Sequence, residues 1–265
     1  MRGSLPGEQA SIIQEVMRTM SDEKRQTLFV VSDVHGHYTE MMAALAQAGF
    51  DRDCKDHTFV SCGDLFDRGI ENGQVYAFVT SLDRKILIRG NHEDFLRDVL
   101  ERGSLLDMDV ANGTDVTIEQ LVEEKALDAW GNLDRVSCAE RIRELVAFLD
   151  SMVHYHEAGE YVFTHGWLPT VFEERYPRVD PSWQNASESE WRWAHLSEWQ
   201  QFYSAGATLE GRTIVCGHRP SYMGYYFDPS RQQDCTEIFY GKGMIALDAN
   251  TVRSGRVNVL VVTLS

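Results

Sequence analysis

The 265-residue chain has no apolar stretch that reaches the roughly 20 residues a bilayer-spanning helix needs, which argues against a membrane partner. Its first segment lacks a charged-then-apolar leader pattern, because Glu8, Gln9 and Glu15 interrupt it. There is no CxxC spacing. The five cysteines, Cys54, Cys62, Cys138, Cys216 and Cys235, are odd in number, so thiols kept reduced in a cytoplasm fit better than a disulfide framework. Basic charge is scarce: 25 Lys and Arg stand against 41 Asp and Glu, for a net charge of −16. Such a surface repels phosphate backbones and disfavours broad binding of nucleic-acid duplexes. No internal repeat or low-complexity segment breaks the chain, whose length suits one large domain or two small ones with an ample core.

What the chain does have is a set of short apolar runs, each ending in Asp, Asn or His and mostly beside glycine. They lie at Leu28–His37, His57–Gly69, Lys85–Glu93, Tyr161–Gly166, Arg212–Pro220 and Met244–Asp248. An apolar run of this length bounded by a turn signal predicts a buried strand. Glycine next to the polar residue permits a sharp turn and close backbone approach to a ligand. The strands therefore deliver ligand-type side chains from their C-terminal ends, where open α/β sheets place their sites. Cys62 and Cys216 fall inside these runs and are expected to be small core residues.

Helical periodicity follows the first three runs, at Tyr38–Ala48, Asn72–Leu82 and Asp94–Glu101. The β-α-β-α alternation implies parallel strands over the first hundred residues. Residues 1–26 predict an N-terminal helical extension, with Ile12, Ile13, Val16 and Met17 at helical spacing. The main domain then covers 27–265. Within it, 103–158 predicts a helical insertion with periodic segments at Ile118–Trp130 and Ala139–Met152, and 169–210 predicts loops and short helices. Trp191, Trp193 and Trp199 alternate like a packed face, and the segment Met244–Val262 predicts strand, turn, strand.

Divalent metals that drive hydrolysis take Asp, His and Asn ligands with positions left open for water. Asp33, His35, Asp64, Asn91, His165 and His218 supply such a set, arranged as two adjacent sites sharing Asp64 and a water. Two ions about 3.5–4 Å apart would clamp the attacking and leaving oxygens of a phosphoryl displacement and acidify the shared water to the attacking hydroxide. Arg68 and Arg89 present planar forks suited to phosphate oxygens, and Asn91 lies beside them. His92 is the expected acid for the leaving oxygen, with Asp67 fixing its tautomer. Glu93 is expected to orient its loop rather than bind metal, and Arg219 is a further phosphate candidate.

The motifs Asp33-Val-His35-Gly36, Gly63-Asp64-Leu-Phe-Asp67-Arg68-Gly69 and Gly90-Asn91-His92-Glu93, followed by His165-Gly166 and Gly217-His218, resemble the phosphoprotein-phosphatase branch of the calcineurin-like metallophosphoesterases. The resemblance covers roughly 27–262 and is closest to small bacterial and bacteriophage members. It implies an α/β fold with a central β-sandwich flanked by helices, and two divalent ions, usually manganese, with iron or zinc as alternatives. It also implies a monomeric phosphatase acting on phosphoserine, phosphothreonine or phosphotyrosine in proteins, or on small phosphoesters. The runner-up is a dinucleoside polyphosphate hydrolase, and Asp67 and Glu93 favour the phosphatase side. A dead scaffold would lose His92 or Asp67 first, and both remain. The chain departs from the family pattern at Trp167 and in the Trp-x-Arg element. There Arg192 and His195 are the alternative suppliers of a third phosphate contact.

Overall fold

A computed structural model describes residues 26–122, 125–173, 175–227 and 235–264. The N-terminal helix expected over 1–26 thus lies, but for Gln26, outside the described residues. The first sheet holds β1 (Gln26–Val31), β2 (His57–Ser61), β3 (Lys85–Leu87) and β11 (Leu260–Leu264), in the order β11-β1-β2-β3. The second holds β4 (Tyr155–Ala158), β5 (Tyr161–Thr164), β8 (Thr213–Cys216), β9 (Phe239–Gly241) and β10 (Met244–Ala246), in the order β4-β5-β8-β10-β9. A small hairpin of β6 (Thr170–Glu173) and β7 (Tyr176–Val179) stands apart. β1, β2 and β3 pair in parallel, and so do β5, β8 and β10. The chain crosses from one sheet to the other between β10 and β11.

Strand alternation builds the layers, because successive side chains leave opposite faces. Leu28, Val30 and Val60 face inward against Phe163, Val215 and Ile245 of the second sheet. Phe29, Val31 and Phe59 face outward under the helices α1 (Tyr38–Ala48), α2 (Asn72–Ser81), α3 (Asn91–Arg102), α4 (Asp107–Asn112), α5 (Thr114–Leu121) and α6 (Ala139–Asp150). The outer face of the second sheet, with Val162, Ile214 and Met244, lies under Trp167, Trp183, Trp191 and Trp199. Two of these tryptophans belong to α7 (Glu188–His195) and α8 (Trp199–Ser204). The fold is therefore a central β-sandwich with helices on both outer sides. Each fully buried Leu or Phe in these layers contributes about 1.5–3 kcal/mol relative to exposure. No helix among the described residues is long and apolar enough to cross a membrane.

Several expected boundaries move. The insertion expected to be helical to 158 ends in β4, which pairs antiparallel with β5 and forms the edge of the second sheet. The periodic segment expected over Ile118–Trp130 stops at Leu121. Beyond it, Asp128 Oδ1 accepts the backbone N–H groups of Trp130 and Asn132, a local alternative that competes with helix. The β6–β7 hairpin replaces loop at the start of 169–210. Trp191 and Trp199 are core, but Trp193 is 74% exposed, so the three do not share one packed face. After β10 the turn expected before the last strand contains the short helix α9 (Thr251–Ser254).

Candidate active site

The C-terminal ends of the parallel strands meet at one end of the sandwich. Asp33 and His35 follow β1, Asp64 follows β2, Asn91 follows β3, His165 follows β5 and His218 follows β8. These turns are tight. Asp33, His35, Asp64, Asp67, Arg68 and His218 all have φ between 48° and 70°, the left-handed region. Backbone held there costs of order 1–3 kcal/mol per residue and persists only where the surroundings enforce it. Gly63 (φ +91°) shows the enforcement, since a Cβ there would meet Gly90 N and His165 Nδ1 at 2.7 Å.

Asp64 lies at the centre. His165 Nε2 is 3.3 Å from its Oδ1, and His35 Nε2 and His92 Nε2 are 3.7 and 4.0 Å from its Oδ2. Potential ligand atoms fall into two groups sharing this carboxylate: His35, Asp64 and His92, and Asp64, His165 and His218. Backbone carbonyls aim the imidazoles. His35 Nδ1 lies 3.0 Å from Phe66 O, and His165 Nδ1 lies 2.7 Å from Cys62 O. Asn91 Oδ1 stands 2.9 Å from His165 Nε2. Asp33 accepts the Ser32 hydroxyl at 2.6 Å and the His218 N–H at 3.0 Å. A donor set of carboxylate, imidazole and amide oxygen around one shared carboxylate fits two divalent cations.

The ionisation of these groups carries the same mark. Burial disfavours the His165 imidazolium, but the Asp64 and Asp33 carboxylates outweigh it and carry its pKa up to about 10. Burial lowers His35 and His218 to about 3 each. A ligating imidazole must be neutral, so uptake of a divalent metal at His165 would expel a proton. Apparent affinity for a divalent metal is therefore expected to rise between pH 6.5 and 8.5, by ~tenfold per unit while that one proton is displaced. Calorimetric titrations in buffers of different ionisation enthalpy read the proton directly, and uptake without proton release would contradict the assignment.

Beside the cluster, His92 Nδ1–H donates to Asp67 Oδ2 at 2.8 Å. Burial opposes the charged His92 ring, but Asp64 and Asp67 raise its pKa above the usual histidine value. The insertion supplies what holds Asp67. Thr114 Oγ1 donates to Oδ2 at 2.9 Å and Thr117 Oγ1 to Oδ1 at 2.7 Å, both from α5. Neither threonine was identifiable from sequence, because they lie 47 and 50 residues away from Asp67 and carry no motif. Glu93, as expected, orients its loop: its carboxylate accepts the N–H groups of Gly90, Asp64 and Leu65 at 2.8–2.9 Å.

The cleft over these groups has a volume of about 300 Å³, and Arg68, Asn91, His92, Arg219 and Arg253 are among the residues that line it. Three expected phosphate contacts do not reach it. Arg89 is buried with its Nε 3.1 Å from Asp94 Oδ1 and its far nitrogen on Glu188, so protein carboxylates occupy its fork. Arg192 forms a two-pronged pair with Asp98 at 3.1 and 2.6 Å. His195 donates Nδ1–H to Asp94 at 2.8 Å and is fully buried. Together Arg89, Asp94, Glu188, His154 and His195 form a polar network behind the cleft.

A β-sandwich whose strand ends pool Asp, His and Asn around one shared carboxylate defines a metal-binding hydrolase. Residues 27–245 match the family model of the calcineurin-like phosphoesterases, and the chain belongs to that family. It is similar to the asymmetrical bis(5'-nucleosyl)-tetraphosphatase PrpE of Bacillus velezensis, at 32% identity over 37% of this chain and 42% of that protein. It is also similar to the symmetrical bis(5'-nucleosyl)-tetraphosphatase of Klebsiella pneumoniae, at 39% identity over 24% of this chain and 23% of that protein. The chain thus matches less than half the length of these curated relatives. Among solved structures, a mutant of a cold-active protein tyrosine phosphatase shares the fold with a TM-score of 0.52 at 16% identity, covering 89% of this chain and 75% of that one.

Proposed function

We propose that the protein hydrolyses phosphomonoesters, with phosphoserine, phosphothreonine or phosphotyrosine in proteins as its leading substrates. The supporting observation is the pairing of a buried Asp67–His92 acid with the Asp64-centred ligand cluster in one cleft that Arg68 also lines. Asp33, His35 and Asp64 would hold one divalent ion, and Asp64, Asn91, His165 and His218 the other. Manganese is the leading choice, with iron or zinc as alternatives. Bound there, the pair supplies Lewis acidity toward the phosphoryl oxygens and lowers the pKa of water.

The chain's own side chains do the rest. Arg68 orients the phosphoryl group by charge-assisted hydrogen bonds. Asp67 fixes the proton on His92 Nδ1. Nε2 lies 3.1 Å from Arg68 Nη2, which donates to it, so it would deliver a proton to the leaving oxygen once Arg68 turns to the phosphoryl group and the ring is protonated. Dinucleoside polyphosphate hydrolysis is the second reading, favoured by the names of the curated relatives. A side-by-side assay with manganese of a phosphopeptide, nitrophenyl phosphate and diadenosine tetraphosphate tests both. Faster turnover of the phosphopeptide than of the dinucleotide is expected. The reverse order selects the second reading, and no hydrolysis of any of the three sinks both.

A further inference from the structure

Asp248 ends the last of the apolar runs, and neither the metal ligands nor the proton donor makes use of it. It follows β10, which pairs in parallel with β8. The Leu247 N–H on Cys216 O at 2.8 Å sets it beside the turn that carries His218. The Ser221 N–H, donated to the Asp248 carbonyl at 2.8 Å, ties the segment after that turn to it as well. The residue is 6% exposed and lines the cleft together with Asp33, Asp64 and His218. Its Oδ1 accepts the N–H of Asn250, a residue held at φ 55°, at 2.6 Å. Its Oδ2 has no hydrogen-bond partner among the described residues. No arginine of the cleft pairs with it there, since Arg68 lies on His92 and Arg219 on Glu198. It also belongs to neither group of potential ligand atoms around Asp64.

A carboxylate oxygen left free in a buried cleft is costly unless a cation or a donor meets it. Burial, with Asp33 and Asp64 nearby, raises the Asp248 pKa well above the usual carboxylate value. An anion in this wall also repels a phosphate, so a cleft shaped for phosphate alone has no use for it. Cations bound in the cleft reverse the balance. Among the assigned ligands only Asp33 and Asp64 are anionic, so two dications leave an excess of positive charge among buried groups. We propose that Asp248 is a positioning carboxylate of the metal centre, which ligates neither ion but offsets their charge from the cleft wall and so tightens their binding. The role rests on the reading of the Asp64 cluster as a site for two divalent ions.

Asp248→Asn removes the charge and keeps an oxygen for the Asn250 N–H. Manganese titration, followed by the paramagnetic resonance of the free ion, is expected to show at least ~tenfold weaker binding, with two ions still taken up at saturation. Asn250→Gly loosens the turn and keeps the carboxylate, and should change the affinity less than ~twofold. Thermal unfolding separates charge from structure. With the ions chelated, the Asp248→Asn protein should melt no lower than wild type, because a buried carboxyl without a counter-charge is gone. With manganese bound it should melt lower, because the ions hold the native state less tightly. Affinity equal to wild type overturns the role. So does an equal fall in melting temperature with and without manganese, which a merely structural residue would give. Unchanged affinity with a shifted KM for nitrophenyl phosphate at saturating manganese would put Asp248 on the substrate and overturn it too. If the wild-type protein takes up no divalent ion, the two-ion reading itself fails and the role of Asp248 falls with it.

Discussion

Replacing Asp64 with asparagine is expected to lower kcat/KM by about 10³–10⁴ and to leave fewer than two divalent ions bound after dialysis against manganese. Asp64 is 2% exposed and is the carboxylate common to both ligand groups among the described residues. The amide keeps the shape, and its oxygen can still accept the His92 N–H that Asp64 Oδ1 takes at 3.0 Å. It loses the negative charge and one anionic oxygen, so neither ion keeps its shared ligand. Lewis-acid stabilisation of phosphoryl transfer is worth several kcal/mol, and each ~1.36 kcal/mol is tenfold in rate. In the metal-free variant His165 also loses the main carboxylate that holds it protonated, so its pKa should fall from about 10. Elemental analysis showing two retained ions with an unchanged rate would remove Asp64 from the bridging role.

The second large effect is at His92 and concerns proton transfer rather than metal content. His92→Asn is expected to keep both ions and the fold while lowering kcat by about 10²–10⁴ for a serine phosphoester. The loss should shrink for nitrophenyl phosphate, whose leaving group needs little proton help. Asp67→Asn should give the same pattern more weakly. The double variant should lose less than the product of the two, because the residues act through one hydrogen bond of 2.8 Å. His92 lies close enough to His35 and Asp64 to belong to a potential ligand group, so metal content is part of the test. If His92→Asn empties a metal position, or costs the same for good and poor leaving groups, the histidine is a ligand or a substrate clamp.

Much of the architecture was legible because it is written locally. Alternation in Leu28–Val31 separates an inner pair from an outer pair, and both pairs pack as alternation requires. The helix at Tyr38–Ala48 has the expected bounds, closed by Gly49 in the left-handed conformation. By contrast, the helix expected to begin at Asp94 begins at Asn91, inside the motif itself. Glu93 reaches back to the Gly90 N–H and caps that turn. The hairpin and the edge strand β4 were not legible. Their runs are four residues each and mix polar with apolar positions.

The phosphate contacts show the limit more sharply. A sequence shows that Arg89 precedes the Gly-Asn-His-Glu motif, but not that Glu188, 99 residues away, occupies its guanidinium. Arg192 and His195 are likewise taken up by Asp98 and Asp94, carboxylates on α3.

The sequence by itself determined the strands that carry the ligand residues, their order of ligand types, the family resemblance and the glycines that free each turn, since each depends on neighbours along the chain. Only the tertiary structure decided which charges are free to meet a substrate and which are spent on one another. It placed Thr114 and Thr117 on Asp67 and turned Arg89 away from the cleft. The physical reason is that an ion pair or hydrogen bond needs its partners within a few ångströms. For residues far apart in the chain, that distance is set by how sheets and helices pack rather than by any pattern either segment carries.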